Sequence, residues 1–271
     1  MSTYETSDRA RSYDEVVGIL KRKLKFSDWP LRETEFIAGF SAEALRSGVL
    51  ADYRLERKTL MPPIISRVTR RYFYRQLNSR LALEVTVIVS QMGAREAAEG
   101  LIQLVAASQM GSEPRVDFEA VGNVTVYRRP DTNQSLAFLR NNIGVNIDGY
   151  GRADKPLPIR ELAQQIDSHL KETEITSTLT DHDRLPRILL FEAKANRLKA
   201  GERTDLTIEV QDNNPPQDWL FHAVNGSYNH DPEGDLWYFR AGHEKGSADV
   251  ALTVVNNVNL MATKRTSITI D

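Results

Sequence analysis

Between Leu81 and Val89 apolar side chains occupy every second position. Leu81, Leu83, Val85, Val87 and Val89 share one side of an extended chain, with Glu84 and Thr86 on the other. The segment therefore predicts a β-strand with one face in a core. After a turn at Gly93, Ala94, Ala97, Ala98, Leu101, Leu104 and Val105 recur at helical spacing, and the small residues among them let a helix lie close to a sheet. Val124–Tyr127, Ser135–Arg140 and 143–148 read as further strands. Pro130-Asp131-Thr132-Asn133 has the chemistry of a turn, and Asn141-Asn142 tolerates the positive φ of a tight hairpin. Pro158 opens a helix on which Ile159, Leu162, Ile166 and Leu170 repeat. The expected architecture is an α+β domain, residues 12–176, with one antiparallel sheet and helices on one face.

Upstream, a disordered tail is expected to residue 11. Ser12-Tyr13-Asp14-Glu15 fits a capping box, followed by a helix with Val16, Val17, Leu20 and Leu24 inward. A second short helix is expected over 41–53, with Ser41 as its cap. The chain of 271 residues is long enough for two cores. Residues 177–185 are polar, lack apolar periodicity and read as a linker. Beyond Pro186 the pattern becomes short strands separated by Gly, Asn and Pro, the mark of an all-β sandwich over 186–271.

Within that region Leu198-Lys199-Ala200-Gly201-Glu202, Trp219, and the block from Gly242 to Val255 followed by Ser267-Ile268-Thr269-Ile270 resemble a bacterial immunoglobulin-like or PKD-type domain. The resemblance implies an immunoglobulin-like β-sandwich serving as a spacer or binding module. It brings no catalytic residues with it.

Bulk charge excludes little: 35 Lys plus Arg face 37 Asp plus Glu, so no overall field draws the chain to a polyanion. The absence of cysteine removes disulfides, thiol nucleophiles and thiolate metal sites. No apolar run approaches the ~20 residues that span a bilayer, and the polar start lacks the core of a signal peptide. The compartment is therefore open: cytoplasmic, or extracellular if a leader was removed.

One segment is locally basic. Between Arg54 and Arg80, Arg67, Arg70, Arg71 and Arg75 are interleaved with Tyr72, Phe73 and Tyr74, and Glu56 is the single acid. These four arginines are the candidate anion site. Asp212-Asn213-Asn214-Pro215-Pro216 resembles the calcium-binding linker of cadherins. With Asp231, Glu233 and Asp235 it forms the candidate metal set, with Ca²⁺ as the ion and loop formation as the alternative reading. No zinc, nucleophile-elbow, Walker or dinucleotide motif occurs. The expected function is a non-catalytic two-domain protein that binds a protein or glycan partner, with the sandwich as spacer. Two alternatives stand beside it: an enzyme of glycans or peptides with an interdomain site, and a polyanion or nucleic-acid binder using Arg67–Arg75.

Overall fold

The structure is a computed structural model and describes residues 12–41, 45, 48–62, 66–107, 114–118, 120–127, 134–151, 157–180, 182–215, 217–232 and 234–271. The expected tail to residue 11, the turn at 130–133 and Glu233 lie outside the described residues. The N-terminal part holds helix α1 (Tyr13–Lys23), strands β1 (Phe36–Ile37), β2 (Tyr53–Leu60), β3 (Arg67–Gln76) and β4 (Ala82–Ser90), and helix α2 (Ala94–Ala107). Strands β5 (Arg115–Phe118), β6 (Val124–Tyr127), β7 (Ser135–Arg140) and β8 (Ile143–Tyr150), helix α3 (Ile159–Glu172) and strand β9 (Ile175–Thr176) follow. Seven of these strands form one antiparallel sheet in the order β2-β3-β4-β8-β7-β6-β5, while β1 pairs with β9.

The capping box forms as expected: the Glu15 amide donates to Ser12 Oγ at 3.3 Å, and the Ser12 amide donates to Glu15 Oε2 at 2.8 Å. The β7–β8 hairpin turns on Asn141 at φ +50°. Two expectations are corrected. The segment 41–53 does not make one helix: its described residues show 3-10 conformation at Leu45 and at Gly48–Leu50, and Tyr53 already begins β2. The helices also occupy both faces of the sheet. Leu136 and Phe138 of β7 pack in the core that holds α3, whereas Ala137 and Leu139 pack with α1 and α2. Both sets of alternating residues on β7 are apolar, so each face of the sheet needs a cover.

On the α3 face, Arg140 grips Asp167 with its Nε at 2.7 Å and its Nη2 at 2.9 Å, and Lys171 Nζ adds a contact at 3.0 Å. Burial alone would push the Asp167 carboxyl up, but Arg140, Lys171 and the Gly122 amide outweigh it and hold the group below its ordinary 3.8. A depressed folded value means that this contribution is complete above the unfolded value and disappears as pH falls through the folded one. Asp167→Asn is therefore expected to weaken the wild type's dependence on pH below about 4, measured as urea midpoints from pH 7 down to pH 2.

The C-terminal part holds β10 (Arg187–Ala193), β11 (Arg197–Leu198), β12 (Arg203–Gln211), β13 (Asp218–Ala223), β14 (Gly226–Asp231), β15 (Leu236–Ala241), β16 (Gly246–Val255) and β17 (Met261–Ile270). They form two four-stranded sheets, β10-β12-β15-β14 and β11-β17-β16-β13. The sheets share one core, with Phe191, Leu206 and Phe239 from the first and Phe221, Val250, Leu252 and Ile268 from the second.

The two parts meet through the loop between β16 and β17. Val258 and Leu260 of this loop are buried in the core that contains Phe40, Tyr72 and α3. The Phe40 amide donates to Val258 O at 2.8 Å, and Asn259 Nδ2 donates to Phe40 O at 2.8 Å and to Tyr72 Oη at 3.3 Å. The stretch read as a linker is packed as well. Leu179 is buried in the same core, Arg184 Nη1 donates to Ala38 O at 3.1 Å, and Asn256 Nδ2 donates to Arg184 O at 2.7 Å.

Gly39 marks how closely the chains approach. Its φ is +93°, and a Cβ there would stand 2.6 Å from Val258 O, a main-chain atom fixed by its own hydrogen bond. Gly39→Ala is expected to cost about 2 kcal/mol through backbone strain and overpacking, read from denaturant midpoints.

A candidate ligand pocket between strand β3 and helix α2

Strand β3 alternates its arginines between two environments. Arg67, Thr69, Arg71 and Arg75 share one side of the strand, and Val68 and Arg70 face the other, toward the C-terminal part. Arg67 and Arg71 thus point with Thr69 toward α2, where Gly100, Gln103 and Leu104 form the opposite wall of a cavity of about 390 Å³. Ile88 of β4 lies beside Thr69 as its paired residue, Met61 and Pro62 close one end, and Tyr13 of α1 stands at the rim.

The polar groups of this pocket are few. Arg67 is only 7% exposed, and its Nη2 donates to Gln103 Oε1 at 2.9 Å. Gly100 makes room for that guanidinium, since a Cβ there would meet Arg67 Nη1 at 2.7 Å. Tyr13 Oη donates to Gln103 O at 3.0 Å. Burial pushes the Tyr13 phenol above its ordinary value, with the nearby Arg67 charge acting the other way. Arg71 is the unusual member. Its Nε is buried without a hydrogen-bond partner, and among the described residues it joins no ion pair. A guanidinium remains charged at any physiological pH, so two cations border this cavity, and among the described residues no carboxylate is paired to either.

The other two arginines of the candidate set are elsewhere. Arg75 shares the face of Arg71 but sits at the far end of β3, where its Nε donates to both Glu56 oxygens at 3.0 Å. Arg54 Nη2 reaches the same carboxylate at 3.3 Å, and the Arg75 hydrogen bond is the main cause that holds Glu56 below its usual value. Arg75 and Arg57 both lie over the Phe73 ring, 5.5 and 5.6 Å from its centroid. Arg70 points the opposite way and is fully buried against the C-terminal part. There its Nη2 contacts Asp218 Oδ2 at 2.7 Å, and its Nε and Nη1 have no partner. Burial and the Arg70 charge press the neighbouring Lys58 ammonium below its ordinary value, while Asp218 opposes them. The structure thus unites Arg67 and Arg71 and separates Arg70 and Arg75 from them, because a strand sends successive side chains to opposite faces.

The candidate metal residues are not gathered at one point. Asp212 Oδ1 accepts from the Asn214 amide at 2.9 Å and from Asn256 Nδ2 at 3.2 Å, next to the joint between the two parts. Asp231 and Asp235 lie at the β14–β15 turn, where Asp235 is exposed and accepts from or faces His230 Nε2 at 3.1 Å. Leu206 of β12 pairs with Trp237, so the register carries residue 208 toward that turn, and Asp212 stands four residues further along, about 13 Å at the rise of a strand. Among the described residues no group of three or more Asp, Glu or His is placed to hold a metal ion.

Both pocket arginines stand out in the sequence but their partners do not: Leu104 reads only as part of a helix's apolar stripe, and Gly100 and Gln103 carry no signal of their own. No described helix is long and apolar enough to cross a membrane. No model of a known protein family matches the chain, and no curated protein matches it in sequence.

Proposed function

We propose that this is a non-catalytic binding protein, in which the pocket between β3 and α2 takes a small ligand bearing an anionic group. The observation that carries the reading is Arg71: a cation beside an apolar-walled cavity, with a buried Nε that no protein atom satisfies. A buried donor without an acceptor is destabilising by ~1–3 kcal/mol, and a ligand oxygen arriving at that guanidinium removes the penalty. Guanidiniums also suit binding rather than proton transfer, because they neither give up nor take a proton near neutrality. In this reading the C-terminal part is an immunoglobulin-like sandwich that forms a second domain and braces β3 from behind. The resemblance of its residues 186–271 and the two sheets sharing one core support that assignment.

The reading makes a prediction with two opposed signs. Arg71→Met removes an unsatisfied donor while keeping an unbranched apolar stem, so the unliganded protein is expected to melt at the same temperature or slightly higher. The same change is expected to abolish stabilisation by small carboxylates, sulfonates or phosphates in a thermal-shift panel. If no anion in such a panel stabilises the wild type, or if the variant responds equally, the pocket is not a ligand site.

A further inference from the structure

We infer that the ligand class is an amphiphile with a single carboxylate and an apolar tail, an inference that rests on the pocket reading above. The charge arrangement limits the head group. The cavity is bordered by the second half of α2, through Gly100, Gln103 and Leu104, away from the helix start at Ala94. A phosphate-type dianion is favoured at the N-terminus of a helix, where free amides and the positive end of the dipole point at it; the C-terminal half disfavours added negative charge. One of Arg67's nitrogens is already committed to Gln103, which leaves Arg71 as the uncommitted fork. One planar fork matches one planar carboxylate, two parallel hydrogen bonds to two oxygens.

The walls specify the tail. Ile88, Met61 and Leu104 present hydrocarbon surface, and the Tyr13 ring stands at the mouth with its hydroxyl tied to Gln103 O. A cavity of about 390 Å³ is at the lower end of the range for small-molecule sites, which fits a medium-length chain rather than a nucleotide or an oligosaccharide. A neutral chain of the same length fills the walls but leaves the Arg71 donors unmet, and a cationic one is repelled by two guanidiniums.

The experiment is isothermal titration of the full chain with decanoate, decanol and decyl phosphate, each below its aggregation concentration, on wild type, Arg71→Met and Ala107→Trp. Ala107 is exposed at the pocket rim, so the tryptophan blocks entry without entering the core. Decanoate is expected to bind at least about tenfold more tightly than decanol and more tightly than decyl phosphate. Arg71→Met is expected to weaken decanoate at least about tenfold and leave decanol within about twofold, while Ala107→Trp weakens both. Decyl phosphate binding most tightly, or decanoate indifferent to Arg71→Met, overturns the single-carboxylate class. If the alkyl compounds all fail while another anion of the wider panel binds through Arg71, the amphiphile is wrong and the pocket stands. If nothing binds, both readings fall together.

Discussion

Truncating Leu260 to Ala is expected to destabilise the whole chain by about 4 kcal/mol and to lower both parts' unfolding midpoints together. The residue belongs to the β16–β17 loop of the C-terminal part, yet it is fully buried in the core of the N-terminal part, with Phe40 and Tyr72. Removing its isopropyl group loses the transfer free energy of three carbons and leaves a cavity. The surroundings cannot collapse into that cavity, because the Phe40 amide holds Val258 O and the Asn259 side-chain amide holds Phe40 O. The three tryptophans provide separate reporters: Trp29 lies in the N-terminal core with α1 and α2, and Trp219 and Trp237 lie in the C-terminal sheets. Variants that retain Trp29 alone or Trp237 alone should show coincident urea transitions, both shifted by Leu260→Ala. A shift confined to the Trp237 signal would mean that the loop is an appendage rather than part of the N-terminal core.

The second large effect concerns Arg70. Its side chain is inaccessible to solvent, and Asp218 is its counter-charge at 2.7 Å across the joint. Asp218→Ala leaves a guanidinium buried with no anion and is expected to cost about 3 kcal/mol, the lower end for breaking a buried pair, because Asp218 itself is half open to water. The companion Arg70→Met supplies an unbranched apolar side chain that replaces the arginine's aliphatic stem. It would sit among Val68, Val255, Met261 and Leu220, which already form a small apolar cluster at this joint. The double variant Arg70→Met, Asp218→Ala is therefore expected to be more stable than Asp218→Ala alone, a sign reversal that urea unfolding of the three proteins reads directly. Additive losses in the double variant would show that Arg70 contributes through contacts other than the ion pair.

These two effects bear on how much of the molecule could be read from its residues. Period-two and helical patterns located β4, β6, β7, β8, α2 and α3, because each buries a face broad enough to leave a regular trace. β2 left none: Tyr53–Leu60 is an exposed edge strand with polar side chains on both faces, and pattern reading has nothing to detect there. The placement of helices on both faces was hidden for a different reason. β7 is apolar at every position from Leu136 to Leu139, which signals two covered faces but not which helix covers each. The joint between the parts was less legible still. Val258 and Leu260 stand in an Asn-rich turn, and only the fold shows that the turn ends inside another core.

The pocket was half legible. Local excess of arginine pointed to β3, but charge counting treats Arg67, Arg70, Arg71 and Arg75 as one group. Strand geometry divides them, and each then meets a different neighbour: Gln103, Asp218, an empty cavity wall, or Glu56. Arg71 is singled out only once it is clear that the other three have partners. The two faces of β3 also give the C-terminal part a role in the account. Arg70 and Val68 fix the strand from one side while Arg67 and Arg71 face the cavity on the other, so the strand that borders the proposed ligand pocket is held by the residues behind it.

The claim that Arg71 is the ligand-bearing cation can be tested at its own nitrogen. Arginine Nε resonances of the isotopically labelled full chain, with the Arg71 signal assigned by its loss in Arg71→Met, would be followed during titration with decanoate. A saturable shift of the Arg71 Nε signal is expected, with a smaller one for Arg67 and none for Arg75, whose Nε is held by Glu56. A titration that moves Arg75 and leaves Arg71 where it began would contradict it.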